Sequence, residues 1–205
     1  MKTTLRSFCL LPVLWLSLVA EAQQRDPEWP CVQVLVPEIV AAVVWPQVID
    51  ESISGTWRQN DALAAMAVKL SDLDEFAESE QRLIAEFVAT VPLDARSDTL
   101  NRLADAIVSL SNRRRTQYIA GIKRYTRQQI SIASQIESTL NQLANMDAQT
   151  DSENSGNRAE IEETLHWHQR VYDRREHAIQ SLCERPVELE EKLAAVLREL
   201  AQHLP

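Results

Sequence analysis

The most constraining feature of the sequence is one long helical seam in its centre. From Leu103 to Leu143, apolar side chains recur at steps that alternate between three and four residues for much of the segment. This heptad-like spacing is typical of helices that pack side by side. It is interrupted near Arg114 and Gln129, where an apolar residue is due. The apolar members are Leu103, Ile107, Leu110, Tyr118, Ile122, Tyr125, Ile132, Ile136, Leu140 and Leu143.

The helix that carries this seam, predicted over residues 97–145, is too long for a compact globule. At a rise of about 1.5 Å per residue it would extend roughly 70 Å. Only three glycines occur among the 205 residues, and glycine is the usual residue at tight turns and helix ends. The sequence therefore predicts an all-α protein, an elongated antiparallel helical bundle or coiled-coil hairpin of three to four long helices.

Weaker patterns on either side complete the predicted bundle, which covers residues 59–205. Apolar residues at helical steps predict a first helix over residues 59–91, with a bend near Ser71 where Asp72 can cap a second half, and a third helix over residues 158–184. Pro186 either kinks the third helix or begins a fourth over residues 186–204, because proline removes a helical hydrogen bond but is tolerated in a first turn.

The segment between the two longest helices, residues 146–157, is polar and acidic and has no periodicity. Such a composition predicts an exposed, mobile loop. Two antiparallel helices joined by this loop should have facing residues whose numbers add to a nearly constant sum. Centring that turn near residue 151 also brings residues 187–204 alongside the first part of the longest helix, which predicts three helices at one end and a thinner two-helix arm.

The first 22 residues have the pattern of a cleaved signal peptide. Lys2 and Arg6 precede an apolar run, which ends in the small-x-small pattern of a signal peptidase site at Ala20 to Ala22. The apolar run is well short of the roughly 20 residues that span a bilayer, so we expect cleavage after Ala22 and no transmembrane anchor. The expected location is the bacterial periplasm, with secretion as the alternative.

Cleavage would leave two cysteines, Cys31 and Cys183, in an oxidising compartment. Because two cysteines allow a single intramolecular pair, we expect a disulfide between them. The alternatives are two distant or buried thiols, or pairing to another chain. A bond that closes so long a loop contributes about 4–5 kcal/mol by chain-entropy reasoning.

An apolar N-terminal segment, residues 23–58, precedes the predicted bundle. Its stretch EWPCVQVLVPEIVAAVVW predicts an extended lead-in through Val36 and a short helix over residues 37–45, ended by Pro46. Two interpretations stay open: a lid that covers the thin flank of the long helices, or an exposed docking strip. The residues at issue include three tryptophans, Trp29, Trp45 and Trp57.

The charge distribution argues against a nucleic-acid partner. The formal net charge is −9, and an acidic chain binds nucleic acid poorly unless its basic residues cluster on one face. The triplet at residues 113–115 is such a cluster, but hairpin packing centred near residues 94–95 places it opposite acidic residues between Asp72 and Glu78. We therefore expect intramolecular ion pairs there.

The chemistry-bearing motifs are few. Glu163 and His166 have the Glu-x-x-His spacing of helical di-iron sites, but the second copy that such a site needs does not occur in the chain. The sequence also has no Gly-rich phosphate loop, haem attachment motif or nucleophile elbow. We therefore expect no catalytic residue, no cofactor and no metal, with Glu163 and His166 as the remaining metal-ligand candidates.

Two function classes follow from these features. The first is an exported, non-enzymatic helical protein that binds another envelope or exported protein, as an adaptor, chaperone or envelope-complex subunit. The second is a helical bundle that binds a small ligand or a metal between the N-terminal segment and the long helices, or a small bundle enzyme. A secreted effector or inhibitor is not separated from the first class by the sequence.

Overall fold

The computed structural model describes residues 26–147 and 155–205. Within these ranges the protein is helical and contains no strand, which confirms the all-α class. The predicted signal peptide, residues 1–22, lies outside the described residues. In chain order the elements are α1 (Ala41–Val44), a 3-10 helix (Thr56–Gln59), α2 (Asp61–Ser71), α3 (Glu78–Ala89), α4 (Arg96–Asp147) and α5 (Ser155–Gln202).

Two long helices dominate the fold, where the sequence predicted three to four. α4 has 52 residues and α5 has 48, which corresponds to lengths of about 78 and 72 Å. They pack antiparallel, because Arg115 contacts Glu190 while Gln129 Nε2, farther along α4, donates to the earlier Tyr172 carbonyl at 2.9 Å. Their residue numbers add to nearly the same sum, in agreement with the predicted register.

α5 is continuous through Pro186, so of the two alternatives the separate fourth helix over residues 186–204 is wrong. Proline lacks only one helical hydrogen bond, and the ring of Pro186 is less than 2% exposed. Burial of the ring and packing along α4 therefore offset the missing bond. The predicted loop was also too long, because α4 continues to Asp147 and α5 begins at Ser155.

The predicted first helix, residues 59–91, is instead broken into the 3-10 helix, α2 and α3. Asn60 caps α2, since its Oδ1 accepts from the Leu63 N–H at 3.1 Å. α3 begins after Ala77, whose N–H donates to Glu80 Oε2 at 2.9 Å. α2 ends at Ser71, where the bend was predicted, and the apolar spacing continues past it because α2 and α3 bury residues in the same core.

The hydrophobic core lies at one end of the long helices, where α2 and α3 pack against the first part of α4 and the last part of α5. Its buried members are Trp45, Trp57, Leu63, Ala67, Leu70, Ile84, Val88, Leu100, Leu103, Ala104, Ala106, Ile107, Val108, Leu193, Val196, Leu197 and Leu200. Beyond it, α4 and α5 continue as a two-helix arm. The buried side chains on the α4 side of the arm include the polar Thr126, Gln129 and Thr139.

The arginine triplet is only partly placed as predicted. Arg114 forms an ion pair with Asp72 at the C-terminal end of α2. Arg115 turns to the other side of α4, where it is 4% exposed and pairs with Glu190 of α5. Consecutive residues on a helix point about 100° apart, so the three guanidinium groups cannot all face one acidic run.

Candidate functional site

The N-terminal segment forms a strap, residues 26–48, that runs antiparallel along α4. Asp26 contacts Lys123 near the middle of α4, whereas Gln47 contacts Ser97 near its start. The predicted short helix is reduced to α1, because the preceding residues stay extended. The polar anchors of the strap are Asp26 on Lys123, Glu28 on Arg127, Gln33 on the Cys183 carbonyl, Val36 on Arg115, Ile39 on Asn112, Trp45 on Asn101, and Gln47 on Ser97.

A disulfide joins the strap to α5. Cys31 and Cys183 are bonded, with their Cα atoms 5.6 Å apart, so the predicted pairing is present in the structure. Beside it, Gln33 Nε2 donates to the Cys183 carbonyl at 2.6 Å. The disulfide therefore fixes the strap to α5, whereas most of the other polar anchors of the strap fix it to α4.

Arg115 and Asn112 hold the centre of the strap. Arg115 donates from Nη1 to the Val36 carbonyl and from Nε to Glu190 Oε1 at 2.9 Å, so that one buried side chain ties three segments together. Asn112 accepts from the Ile39 N–H at 2.8 Å and donates to the Ile39 carbonyl at 2.9 Å. These two hydrogen bonds satisfy both the N–H and the carbonyl of Ile39, as pairing with a neighbouring β-strand would.

The sequence analysis missed these two anchors, although a signal was available for one of them. Arg115 lies seven residues before the buried Ile122, at a seam position, whereas the interruption had been assigned to Arg114. A charged residue on a buried seam is placed there to meet a specific partner. Asn112 gave no comparable signal, because asparagine on a helix surface is ordinary.

The contact between Asp26 and Lys123 also lowers the pKa of the Asp26 carboxyl. The hydrogen bond from Lys123, together with one from the Glu28 N–H, holds the pKa of the Asp26 carboxyl below its ordinary value. A hydrogen bond to the charged form favours ionisation. The Asp26 carboxylate is therefore the form that anchors the strap to α4.

Two of the three predicted tryptophans, Trp45 and Trp57, lie in the hydrophobic core, and the third, Trp29, does not. Trp45 and Trp57 are 4% and 5% exposed and belong to the hydrophobic core. Trp45 Nε1 also donates to Asn101 Oδ1 at 2.7 Å. Trp29 is only half-buried, and its Nε1 donates to the Gln33 carbonyl at 2.8 Å, which closes a local turn within the strap.

The outer face of the strap carries exposed valines, which we call the valine strip. Val32, Val34 and Val36 alternate with the half-buried Cys31, Gln33 and Leu35, as expected for an extended segment with one face against the helices. In the described part of the chain, the backbone N–H groups of residues 32–36 have no hydrogen-bond partner. The exposed fractions are Val32 102%, Val34 70%, Val36 47%, Val40 60%, Val43 82% and Val48 91%.

A shallow pocket opens beneath the central part of the strip. It has a volume of about 280 Å³ and lies between the strap and the long helices, with Glu38, Arg115 and Glu190 as its charged lining residues. The lining is otherwise mostly apolar: Val36, Ile39, Val40, Val43, Val44 and Leu193. The strip therefore combines protruding side chains with a groove that can accept an apolar group.

The core end of the protein and the two-helix arm differ in charge. Residues 26–116 and 186–205 contain 19 acidic and ten basic side chains. In contrast, residues 117–147 and 155–185 of the arm contain eight of each. Beside Val32, the groove between the strap and α5 is lined by four glutamates and no basic residue: Glu176, Glu184, Glu188 and Glu191.

The metal-ligand candidates of the sequence analysis, Glu163 and His166, are exposed on α5 in the arm. Among residues 26–147 and 155–205, there is no group of three or more His, Cys, Asp or Glu side chains placed to hold a metal ion. Within the same ranges, none of the helices combines the length and apolarity needed to cross a membrane.

The chain matches no protein-family model, no curated protein and no solved structure. The functional argument therefore depends on the residues and contacts described above.

Proposed function

We propose that this protein is an exported, non-enzymatic helical protein that binds another envelope or exported protein through the valine strip, as an adaptor, chaperone or envelope-complex subunit. The observation that carries the proposal is the exposure of six valines on one short strap. Single exposed apolar residues are ordinary, whereas a contiguous apolar surface is typical of a binding site. The six valines of the strip all lie between residues 32 and 48 of the strap.

The attachment of the strap supports this proposal. A flexible apolar segment would lose conformational entropy on binding. Here the disulfide at Cys31 and the anchors on Arg115 and Asn112 already order the backbone that carries the valines. A partner would therefore meet a rigid surface and would not have to order it.

The chemistry of the strip and its surroundings favours one kind of partner. We infer an apolar segment flanked by lysine or arginine side chains, because four glutamates and no basic side chain line the groove beside Val32. Apolar contact would supply most of the affinity, while the charge pairing would accelerate association and exclude acidic partners. The partner's basic side chains would make binding weaker at high salt.

The two cysteines support the exported location. A disulfide persists in oxidising compartments such as the periplasm or the extracellular space, and Cys31 and Cys183 form one. The signal-peptide pattern before Ala22 agrees with this location. Fractionation of the producing bacterium tests it: mature protein that begins near Gln23 in the periplasm or medium is expected, and uncleaved protein in the cytoplasm would contradict it.

Site-specific photocrosslinking tests the binding proposal. A photoreactive amino acid at Val34 or Val43 is expected to capture a discrete partner in the native compartment, whereas the same group at the exposed Gln117 of α4 should not. Changing Val32 to Ser should reduce capture from Val34 without lowering stability, because Val32 is fully exposed. The captured peptide should be apolar with basic flanks. Equal products from Val34 and Gln117, or none, would refute the proposal.

The pocket beneath the strip supports a second candidate function, binding of an apolar small ligand. Its volume of about 280 Å³ and its mostly valine, isoleucine and leucine lining suit such a molecule. Native mass spectrometry separates the two candidates. A stoichiometric small molecule that is lost after Val43 is changed to Glu would favour ligand carriage over protein binding.

A further inference from the structure

The first part of the strap, residues 26–35, is held to the helices by the disulfide and by few other contacts. We call it the lead segment. Among the described residues, it forms only three other polar contacts with the helices, two of which are partly exposed ion pairs. Exposed ion pairs add little to stability, because water and salt screen the charges. The three contacts are Asp26 on Lys123, Glu28 on Arg127, and Gln33 on the Cys183 carbonyl.

The apolar side chains of the lead segment do not reach the hydrophobic core. Trp29 and Leu35 are only half-buried, and neither belongs to the core or packs against its buried members. The Nε1 donor of Trp29 is used within the strap, on the Gln33 carbonyl. The bond between Cys31 and Cys183 is therefore the main attachment of the lead segment.

The rest of the strap is fixed independently of the disulfide. The Val36 carbonyl accepts a hydrogen bond from Arg115, which is 4% exposed. Ile39 forms two hydrogen bonds with Asn112, and Trp45 lies in the hydrophobic core. Loss of the disulfide would therefore free the lead segment as far as Val36 and leave the following residues in place.

The disulfide can be reached from solvent. Cys31 and Cys183 are half-buried, and both line the groove beside Val32, which has a volume of about 810 Å³. Reduction requires a thiolate to approach one of the two sulfur atoms. An open groove of this size admits a small thiol or a loop of a protein reductant.

The charge of the groove discriminates between reductants. Its four glutamates and lack of a basic lining residue create a negative potential around the disulfide. The attacking thiolate is itself an anion. A reductant that carries a further negative charge is therefore disfavoured, whereas one with a cationic group beside its thiolate is favoured.

We propose that the Cys31–Cys183 disulfide is a redox switch, which is reduced by a dithiol with positive charge beside its reactive sulfur. One thiolate of the dithiol attacks the disulfide, forms a mixed disulfide with one cysteine and releases the other, which takes up a proton. The second thiol of the dithiol then displaces the first cysteine and closes the dithiol's own disulfide. Two electrons and two protons pass to the two cysteines.

Reduction frees the lead segment and withdraws Val32 and Val34 from the ordered valine strip. This last consequence for partner binding rests on the proposed function, whereas the switch itself does not. The switch is therefore tested on the protein without a partner, so that its failure is distinct from a failure of the photocrosslinking experiment.

Backbone ¹⁵N relaxation of the full mature protein tests the release. After complete reduction with excess dithiothreitol, confirmed by counting two free thiols, the order parameters of residues 28–34 are expected to fall from about 0.85 to below about 0.6, while those of residues 39–45 stay near 0.85. The double variant Cys31→Ser, Cys183→Ser should show the reduced pattern with and without dithiothreitol. Unchanged order parameters in residues 28–34, or an equal loss in residues 39–45, would overturn the proposal.

Reduction rates with three small thiols test the charge selection. Cysteamine, 2-mercaptoethanol and 2-mercaptoethanesulfonate carry a cationic, a neutral and an anionic group. At low salt and equal thiolate concentration, cysteamine should react about tenfold faster than the sulfonate, and the ratio should fall as salt is added. An equal rate for the three thiols would overturn the charge selection.

Matched glutamate variants separate the groove from the net charge of the protein. Glu184→Gln and Glu188→Gln each remove one carboxylate from the groove and should lower the ratio of the two rates about twofold. Glu163→Gln removes the same charge from an exposed position in the arm and should leave the ratio unchanged. Equal ratios in the three variants would refute selection by the groove.

Discussion

The stability effect of Trp45 distinguishes the core part of the strap from its exposed part. Trp45 is 4% exposed, packs within the hydrophobic core and donates a hydrogen bond to Asn101. Changing Trp45 to Ala removes a large buried side chain and leaves Asn101 without this partner. Substitutions of this kind cost about 3–5 kcal/mol of unfolding free energy. For a protein of this size that corresponds to a fall in Tm of about 6–20 °C.

Val43 provides the matched control, because it lies on the same strap only two residues away but is 82% exposed. Changing Val43 to Ala should alter the unfolding free energy by no more than about 0.5 kcal/mol, as is usual for surface substitutions. The same change should weaken partner capture, since it removes part of the valine strip.

Urea unfolding followed by far-UV circular dichroism measures both variants. The midpoint and the slope of the transition should be reported together, because a change in slope indicates a different degree of exposure on unfolding. A loss below about 1 kcal/mol for the Trp45 variant, at unchanged slope, would show that the strap does not form part of the core. Equal losses in the two variants would refute the division of the strap into a core face and an exposed face.

Three further predictions test the attachment of the strap. Replacing both Cys31 and Cys183 with Ser should lower the unfolding free energy by about 3–5 kcal/mol, and the unfolded, unreduced wild-type protein should show no free thiol in a colorimetric assay. Arg115→Met should cost about 1–3 kcal/mol in urea unfolding, because the Val36 carbonyl loses its donor. The Asp26 pKa is lowered in the folded state, so its contribution is present above the unfolded value of 3.8 and is lost as pH falls below it. The stability difference between wild type and Asp26→Asn should therefore shrink as the pH falls below about 4.

The long helices could be predicted because their seam repeats over many turns. The register of α4 against α5 followed from the turn position alone, and the contact of Gln129 with Tyr172 agrees with it. The positions where helices end were harder to predict from the sequence. The gap between α2 and α3 was predicted only as a bend near Ser71, because apolar side chains before and after it enter the same core. At Pro186 the sequence left a kink or a fourth helix open, and packing against α4 keeps α5 continuous.

The candidate site was anticipated only in outline. The sequence marked the strap as apolar, and the cysteine count gave its covalent partner. It could not assign Trp45 and Val43 to opposite sides, because the irregular strap has no single period from which a buried face can be read. Neither could it locate the pocket beneath the strip, whose walls come from the strap, α4 and α5.

The sequence by itself determined the helical class, the antiparallel hairpin register and the identity of the cysteine pair, because repeated spacing and the number of thiols leave few alternatives. Only the tertiary structure decided which strap residues enter the core and which remain on the surface. That choice depends on where Arg115, Asn112 and Asn101 lie along α4. These polar groups fix the strap at separate points, and the valines between them face solvent.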